Sequence, residues 1–157
     1  MTATNPTKNE DLHGNAPDSA PVALVLVDMI NDLEFEGGEA LAELLQPEKD
    51  DYFVLKPKHS AFYATTLDTL LDYLGPRRLI VTGITGDVCV LFTASDAYMR
   101  DFHLHVPADC IASIAPEHTR DALEYMERVL RVDTTPSMEL DLDALARESR
   151  RRAKVEK

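Results

Sequence analysis

The stretch RLIVTGITGDVCVLFTASDAY, residues 78–98, decides the fold of this chain. It begins with the short apolar run 79–82, which predicts a strand, and two glycines then indicate a tight turn. The apolar run that follows contains no helix breaker, so we expect a helix with Asp87 at its N-cap. The sequence therefore predicts a strand, a turn and a helix, with Cys89 in the first helical turn.

Cys89 stands where a cysteine can become a nucleophile. Free N–H groups and the helix dipole stabilise an anion at the first turn, so a thiol there is expected to lose its proton more readily. The alternative is a small buried cysteine on a helix face, and position alone does not separate the two. Cys110, the other cysteine, follows a predicted strand without such surroundings, and we expect it to be inert.

Strands alternate with helices along the rest of the chain. The uninterrupted run VALVLV at 22–27 is typical of a strand buried on both faces. Further strands are predicted at 52–55, 79–82, 103–106 and 130–133, and helices at 39–45, 66–74, 88–100 and 117–129. This alternation predicts a three-layer α/β fold, with a parallel sheet and helices on both of its faces.

Three chemically useful side chains follow three different predicted strands. Asp28 comes directly after the first, Lys56 after the second and Cys89 after the third. The carboxyl ends of parallel strands meet at one edge of a sheet, where α/β folds place their sites. We therefore expect the three to lie together, with structural ion pairing as the alternative explanation of the two charges.

Composition limits the partners and the location. A chain of 157 residues is long enough for one domain with a core, and its net charge of −12 argues against nucleic acid or an anionic membrane as partner. No apolar run is long enough to cross a bilayer, and the polar start does not resemble a signal peptide. Two cysteines without a CxxC or a disulfide framework indicate a reducing cytoplasm.

Three regions are predicted along the chain. Residues 1–20 are polar and aperiodic, and we expect a disordered lead. Residues 21–136 hold the folded domain. Residues 137–157 are expected to form a charged tail, in which 140–146 can form a helical turn or two and the remainder is solvated.

One group of residues near the predicted strand 103–106 has two interpretations, and a metal site is the weaker of them. His103 and His105 alternate on a predicted strand and share a face, with Asp109 and Cys110 near in sequence. A solvated edge strand accounts for these residues better, and the other histidines form no spaced set. We therefore expect no metal and no cofactor.

Three segments resemble the isochorismatase-like cysteine hydrolases, the superfamily that includes nicotinamidases. They are VALVLVDMINDL at 22–33, VLKPKHSAFYATTL at 54–67 and VTGITGDVCVLFTASDA at 81–97, of which the last is the most specific. The resemblance covers about 22–136. It implies a parallel sheet of the Rossmann-like order 3-2-1-4-5-6.

The resemblance also implies a catalytic triad. Matched segment by segment, Asp28 is the general base and acid, Cys89 the nucleophile that forms a thioester-type intermediate, and Lys56 their electrostatic partner. Lys58 competes for the lysine role, but the spacing to the following Ser-Ala-Phe segment favours Lys56. The implied oxyanion hole consists of the backbone N–H groups of Thr85 and Cys89, and a cis peptide bond is implied between Ile84 and Thr85.

The implied reaction is hydrolysis of a small amide or related C–N bond in a small-molecule substrate. The alternatives are an isochorismate-type enol-ether hydrolase and a non-catalytic or impaired relative that serves as an oligomeric scaffold. The substrate-binding residues stay open.

The sequence also departs from the family pattern. Ile30 and Leu33 stand where the family usually has Gln and Phe. Between Gly38 and Leu44 the family usually carries a long helix, a further strand and loops, which this chain lacks. We therefore expect a sheet one strand short, and either lowered stability or a homo-oligomer that covers the exposed surface.

Overall fold

The computed structural model describes residues 19–29, 38–48 and 51–152. Its strands and helices are, in order, β1 Val22–Val27, α1 Gly38–Leu44, α2 Leu67–Leu74, β2 Arg78–Ile84, α3 Leu91–Tyr98, β3 His103–His105, β4 Ile111–Ala112, α4 Pro116–Tyr125 and α5 Leu142–Arg152. A π-helical turn at Gly86–Val90 leads into α3, and another at Met126–Leu130 extends α4. Residues 1–18 of the predicted disordered lead, the departures at Ile30 and Leu33, and residues 153–157 lie outside the described residues.

The sheet is parallel, as predicted. β1 runs beside β2 with Val22 opposite Arg78 and Val27 opposite Gly83, and β3 and β4 pair with the other edge of β2. All but the last residue of β2 are buried, because this central strand is covered on both faces. The parallel α/β architecture is confirmed.

Alternate residues of the sheet face two different layers. On one face, Leu79 and Val81 of β2 belong to a core cluster with residues of three helices: Leu67 and Leu71 of α2, Ala94 and Ala97 of α3, and Ala122 of α4. On the other face, Leu24 and Ile80 line an apolar groove of about 690 Å³ with side chains of α1 and α5. Helices therefore cover both faces, but the second face is covered incompletely.

Gly83 permits the close approach of β1 and β2 beside the site. Its φ is 122°, a conformation that side chains other than hydrogen rarely adopt. A Cβ at this position would lie 2.1 Å from the carbonyl oxygen of Val27. Gly83 therefore allows β2 to lie against Val27, the last residue of β1, immediately before Asp28.

The strand predicted at 52–55 is wrong, because residues 51–56 form no ladder. Within the described part of the chain, β1 pairs only with β2, so no strand lies where the missing segment of the family would provide a neighbour. Without a partner, an apolar segment cannot form sheet hydrogen bonds. The sheet has four described strands where the sequence indicates five.

Two predictions for the C-terminal half of the chain, one about its strands and one about its tail, also need correction. The two-residue strand β4 was not predicted, and the segment 130–133 contributes only a single bridge between His105 and Asp133. The segment after residue 146, predicted as a solvated tail, is helical as far as Arg152 because α5 continues through it, although Arg147, Glu148 and Arg150 are exposed. Ser149 is buried, and the Glu148 carboxylate lies 3.1 Å from Arg78 Nη2.

The remaining helix boundaries follow the expected chemistry. α2 ends at Leu74, and Gly75 forms its C-terminal cap. The φ of Gly75 is 68° and its N–H donates to Leu71 O at 2.8 Å, as in a left-handed glycine cap. α4 begins with Pro116 in the first turn, where its missing N–H costs nothing. Among the helices within the described ranges, none is long and apolar enough to cross a membrane.

Candidate active site

Asp28, Lys56 and Cys89 converge in the structure. The Lys56 Nζ lies 2.7 Å from Asp28 Oδ2 and 3.5 Å from Cys89 Sγ. The ammonium group therefore contacts both the carboxylate and the sulfur. Three groups that are distant in sequence form one polar cluster at the carboxyl end of β1 and β2.

Asp28 enters this cluster because β1 ends one residue before it. Its backbone is left-handed, with a φ of 56°, a conformation that Asp adopts more readily than most residues. The turn directs the chain out of the sheet immediately after Val27. Asp28 and Lys56 therefore meet at the sheet edge.

Lys56 reaches the site from an irregular segment rather than from a strand end. Its Nζ also donates to the carbonyl oxygen of Lys58 at 3.0 Å, and its side chain is only 14% exposed. Lys58, the competitor for the lysine role, thus contributes its backbone to the position of Lys56. Of the two lysines, Lys56 is the one whose ammonium contacts Asp28 and Cys89.

Cys89 lies in the π-helical turn Gly86–Val90, close to where the helix was expected to begin. Thr85 rather than Asp87 is the N-cap, and the N–H of Val90 donates to Thr85 O at 3.0 Å. The Asp87 carboxylate lies instead 3.6 Å from His118 Nδ1. The peptide bond that enters this turn, between Ile84 and Thr85, is cis, at the position that the resemblance implies.

Thr93 joins the Lys56 segment to the Cys89 turn, and sequence reasoning missed it. Its buried hydroxyl donates to Cys89 O at 2.7 Å and accepts from the N–H of Ala61 at 3.0 Å. Nearby, the Ser60 hydroxyl is hydrogen-bonded to the Asp96 carboxylate of α3. The only sequence signal was a small polar residue four positions after Cys89, on the buried face of α3.

The thiol of Cys89 does not have the lowered pKa expected from its helix position. Burial raises the pKa of Cys89, and the hydrogen bond and charge of Asp28 raise it further, whereas Lys56 acts in the opposite direction. The net direction is opposite to the one expected from the helix position alone. The surroundings favour a protonated sulfur, with the Asp28 carboxylate in hydrogen-bonding contact with it.

His59 is a further polar neighbour of the sulfur that the sequence did not single out. Its Nδ1 lies 3.9 Å from Cys89 Sγ, and its ring centroid lies 5.7 Å from that of Phe92, with the planes tilted by 35°. A histidine three residues after the matched lysine was the available signal.

The residues considered as possible metal ligands make other contacts in the structure. The buried His105 has its Nε2 2.8 Å from Arg78 Nη1 and its Nδ1 3.4 Å from Asp133, and burial lowers its pKa. Asp109 binds the N–H of Ser137 at 2.8 Å, and Cys110 Sγ lies 3.7 Å from Asp109 Oδ1. Across residues 19–29, 38–48 and 51–152, no three His, Cys, Asp or Glu residues cluster as a metal site would require.

Comparison with known proteins gives a consistent set of relatives. The profile described as "Isochorismatase domain" matches residues 34–137. The isochorismatase family protein YaaI of Bacillus subtilis is 54% identical over 91 residues, which cover 58% of this chain and 50% of YaaI. The ureidoacrylate amidohydrolase RutB of Methylorubrum extorquens is 42% identical over 77 residues, 49% of this chain and 31% of RutB.

A solved structure shows the same fold. The isochorismatase family protein from Desulfovibrio vulgaris superposes with a TM-score of 0.70 at 21% identity, covering 82% of this chain and 100% of that one. The chain spans half or less of the length of the two curated relatives that it matches.

Proposed function

This chain belongs to the isochorismatase family, and on that premise we propose that it is a cysteine hydrolase that cleaves a small amide or related C–N bond. The observation that supports this most strongly is the position of Lys56 Nζ, within 2.7 Å of Asp28 and 3.5 Å of Cys89. A nucleophile, a proton acceptor and a cation within contact distance are the elements that covalent catalysis requires.

In the proposed acylation step, Asp28 accepts the proton of Cys89 as the sulfur attacks the substrate carbonyl carbon. The C–N bond then breaks, and Asp28 gives the proton to the departing nitrogen. The product is a thioester on Cys89. The raised pKa of the resting thiol fits this sequence, because proton transfer then accompanies attack instead of preceding it.

In the proposed deacylation step, water adds to the thioester carbonyl and gives a proton to Asp28. The C–S bond breaks with its electron pair on the sulfur, and Asp28 returns the proton to Cys89. Lys56 keeps a positive charge beside both groups throughout. The N–H groups of Thr85 and Cys89 are proposed as the oxyanion hole, in which one donor contributes about 3 kcal/mol to the transition state.

Two further properties belong to the same proposal. The substrate is a small molecule, and the amidohydrolase name of RutB supports C–N chemistry over enol-ether hydrolysis. A nucleophilic Cys89 has to stay reduced, so we place the protein in the cytoplasm.

We expect iodoacetamide to alkylate Cys89 several times faster than Cys110 in folded protein near neutral pH. Burial raises the pKa of both thiols, and each thiol has a carboxylate neighbour, Asp28 at Cys89 and Asp109 at Cys110. Cys89 differs because the Lys56 ammonium lies 3.5 Å from its sulfur. A cation stabilises the reactive thiolate and an anion opposes it. Peptide mass spectrometry over a time course measures both rates in one sample.

The same samples, assayed for ammonia release from a panel of small amides, connect labelling to function. Turnover should fall in step with modification of Cys89, and a Cys110→Ser variant should behave like the parent protein. Preferential labelling of Cys110 with Cys89 untouched would contradict the catalytic proposal and favour a scaffold.

We also propose that the protein forms a homodimer through β1. Leu24 and Leu26 of this strand are 61% and 46% exposed, and Leu142, which lines the same groove, is also exposed. Within the described residues, β1 is hydrogen-bonded along one edge only, and a strand edge offers N–H and C=O groups that another strand can pair with. An antiparallel β1 from a second copy would pair with this edge and keep the two apolar faces on the same side of the joined sheet.

Sedimentation velocity tests this dimer. The parent protein should sediment as a dimer, and Leu24→Lys should sediment as a monomer because it places a charge in the interface. Ile114→Lys, at a residue that is 92% exposed elsewhere, is the matched control and should stay dimeric. A parent protein that is monomeric and melts cooperatively above about 65 °C would contradict both the dimer and the expected loss of stability.

A further inference from the structure

We propose that His59 donates a hydrogen bond to the sulfur of Cys89 and stabilises its thiolate during the reaction. This role rests on the proposed function, because it concerns the nucleophile of that reaction. It would make His59 a fourth polar residue of the site, alongside Asp28, Lys56 and Cys89.

The contacts of the sulfur support this role. Cys89 Sγ has His59 Nδ1 at 3.9 Å and Lys56 Nζ at 3.5 Å, both within the range of hydrogen bonds to sulfur. The tautomer with hydrogen on Nδ1 makes the ring a donor. The sulfur then has two nitrogen donors from the same segment of chain.

The position of His59 is fixed on both sides. The carbonyl oxygen of Lys58 accepts from Lys56 Nζ at 3.0 Å, and the buried Ser60 side chain is hydrogen-bonded to Asp96 of α3. The ring itself packs near Phe92. The neighbouring residues therefore fix the backbone of His59, and Phe92 flanks its exposed ring beside the sulfur.

The chemistry supplies a reason for a second donor. Burial and Asp28 both disfavour the thiolate, and the charge of Lys56 is shared with Asp28 at 2.7 Å. When the thioester is hydrolysed, the C–S electron pair stays on the sulfur until Asp28 returns a proton. A donor that is not paired with the carboxylate would stabilise the departing thiolate at that moment.

Two substitutions separate this hydrogen bond from simple packing. His59→Phe keeps an aromatic ring near Phe92 but removes the donor, whereas His59→Gln keeps an N–H donor and loses the ring. The measurement is the rate of Cys89 alkylation against pH in a Cys110→Ser background, together with turnover. His103→Phe, at an exposed residue of β3 away from the site, is the control.

We expect His59→Phe to shift the alkylation curve to higher pH and to slow labelling near neutral pH by about fivefold, the size of one ordinary hydrogen bond. His59→Gln should lie nearer the parent protein. The charged side chains on α3, on the turn that holds Cys89 and on the segments that hold Asp28 and Lys56 are Asp28, Lys56, Lys58, Asp87 and Asp96. Every variant retains these groups, so a shift of the alkylation curve along the pH axis reports on residue 59.

An unchanged alkylation curve in His59→Phe would overturn the proposal, and so would equal losses in the Phe and Gln variants, which would indicate a packing role. These outcomes are distinct from failure of the proposed function. If turnover does not need Cys89, the function fails, yet the alkylation curves still show whether His59 stabilises the thiolate.

Discussion

Cys89→Ala will lower the turnover of any amide substrate by at least about 10³-fold, because removal of a covalent nucleophile leaves only binding and oxyanion stabilisation. The fold should survive, since the side chain is small and only partly buried. Ammonia release measures turnover, and thermal melting followed by circular dichroism measures the fold.

Cys110→Ala is the matched control for this experiment. Cys110 is also a free and partly buried cysteine, but it lines the apolar groove on the other side of the sheet from the core cluster. Its removal should leave turnover unchanged. Full turnover in Cys89→Ala, or equal losses in the two variants, would contradict the assignment of Cys89 as the nucleophile.

The second large effect concerns Asp28→Asn, for which we expect alkylation and turnover to change in opposite directions. The Asp28 carboxylate raises the pKa of Cys89, so its neutralisation should lower that pKa and move the alkylation curve to lower pH. Labelling near neutral pH should therefore become faster. Turnover should fall by about 10²- to 10⁴-fold, because an amide cannot accept and return the proton.

Parallel measurements of iodoacetamide labelling and ammonia release check this divergence. Asp109→Asn is the control, since it removes a carboxylate beside Cys110 and should leave both properties of Cys89 unchanged. If labelling and turnover fall together in Asp28→Asn, the carboxylate supports the structure of the site and does not act as its base.

These predictions depend on different amounts of three-dimensional information. Replacement of Cys89 could be proposed from the segment 81–97, because that segment resembles the nucleophile segment of the family and a sequence motif is a local feature. The opposite responses of Asp28→Asn could not, because they depend on the burial of the sulfur and on its distance from a carboxylate 61 positions earlier in the chain, which no local pattern encodes.

The segment 52–55 shows why local preference has limits. Its apolar residues favour a strand, but a strand exists only with a partner, and the described part of the chain provides none there. The same reason explains β4, which is too short to predict and forms because β2 offers an edge at Gly83 and Ile84. Helix α5 extends beyond its prediction because contacts with the sheet, including Arg78 with Glu148, stabilise a charged segment.

The sequence by itself determined the parallel α/β class and the three residues, Asp28, Lys56 and Cys89, that meet in the structure. It could do so because apolar periodicity is a local property and because the segments that carry the three residues resemble segments of the family. Only the tertiary structure decided which segments find a partner in the sheet and in which direction the pKa of Cys89 moves. It also placed Thr93 and His59 beside Cys89, since hydrogen bonding, burial and charge act through distances that only the folded chain creates.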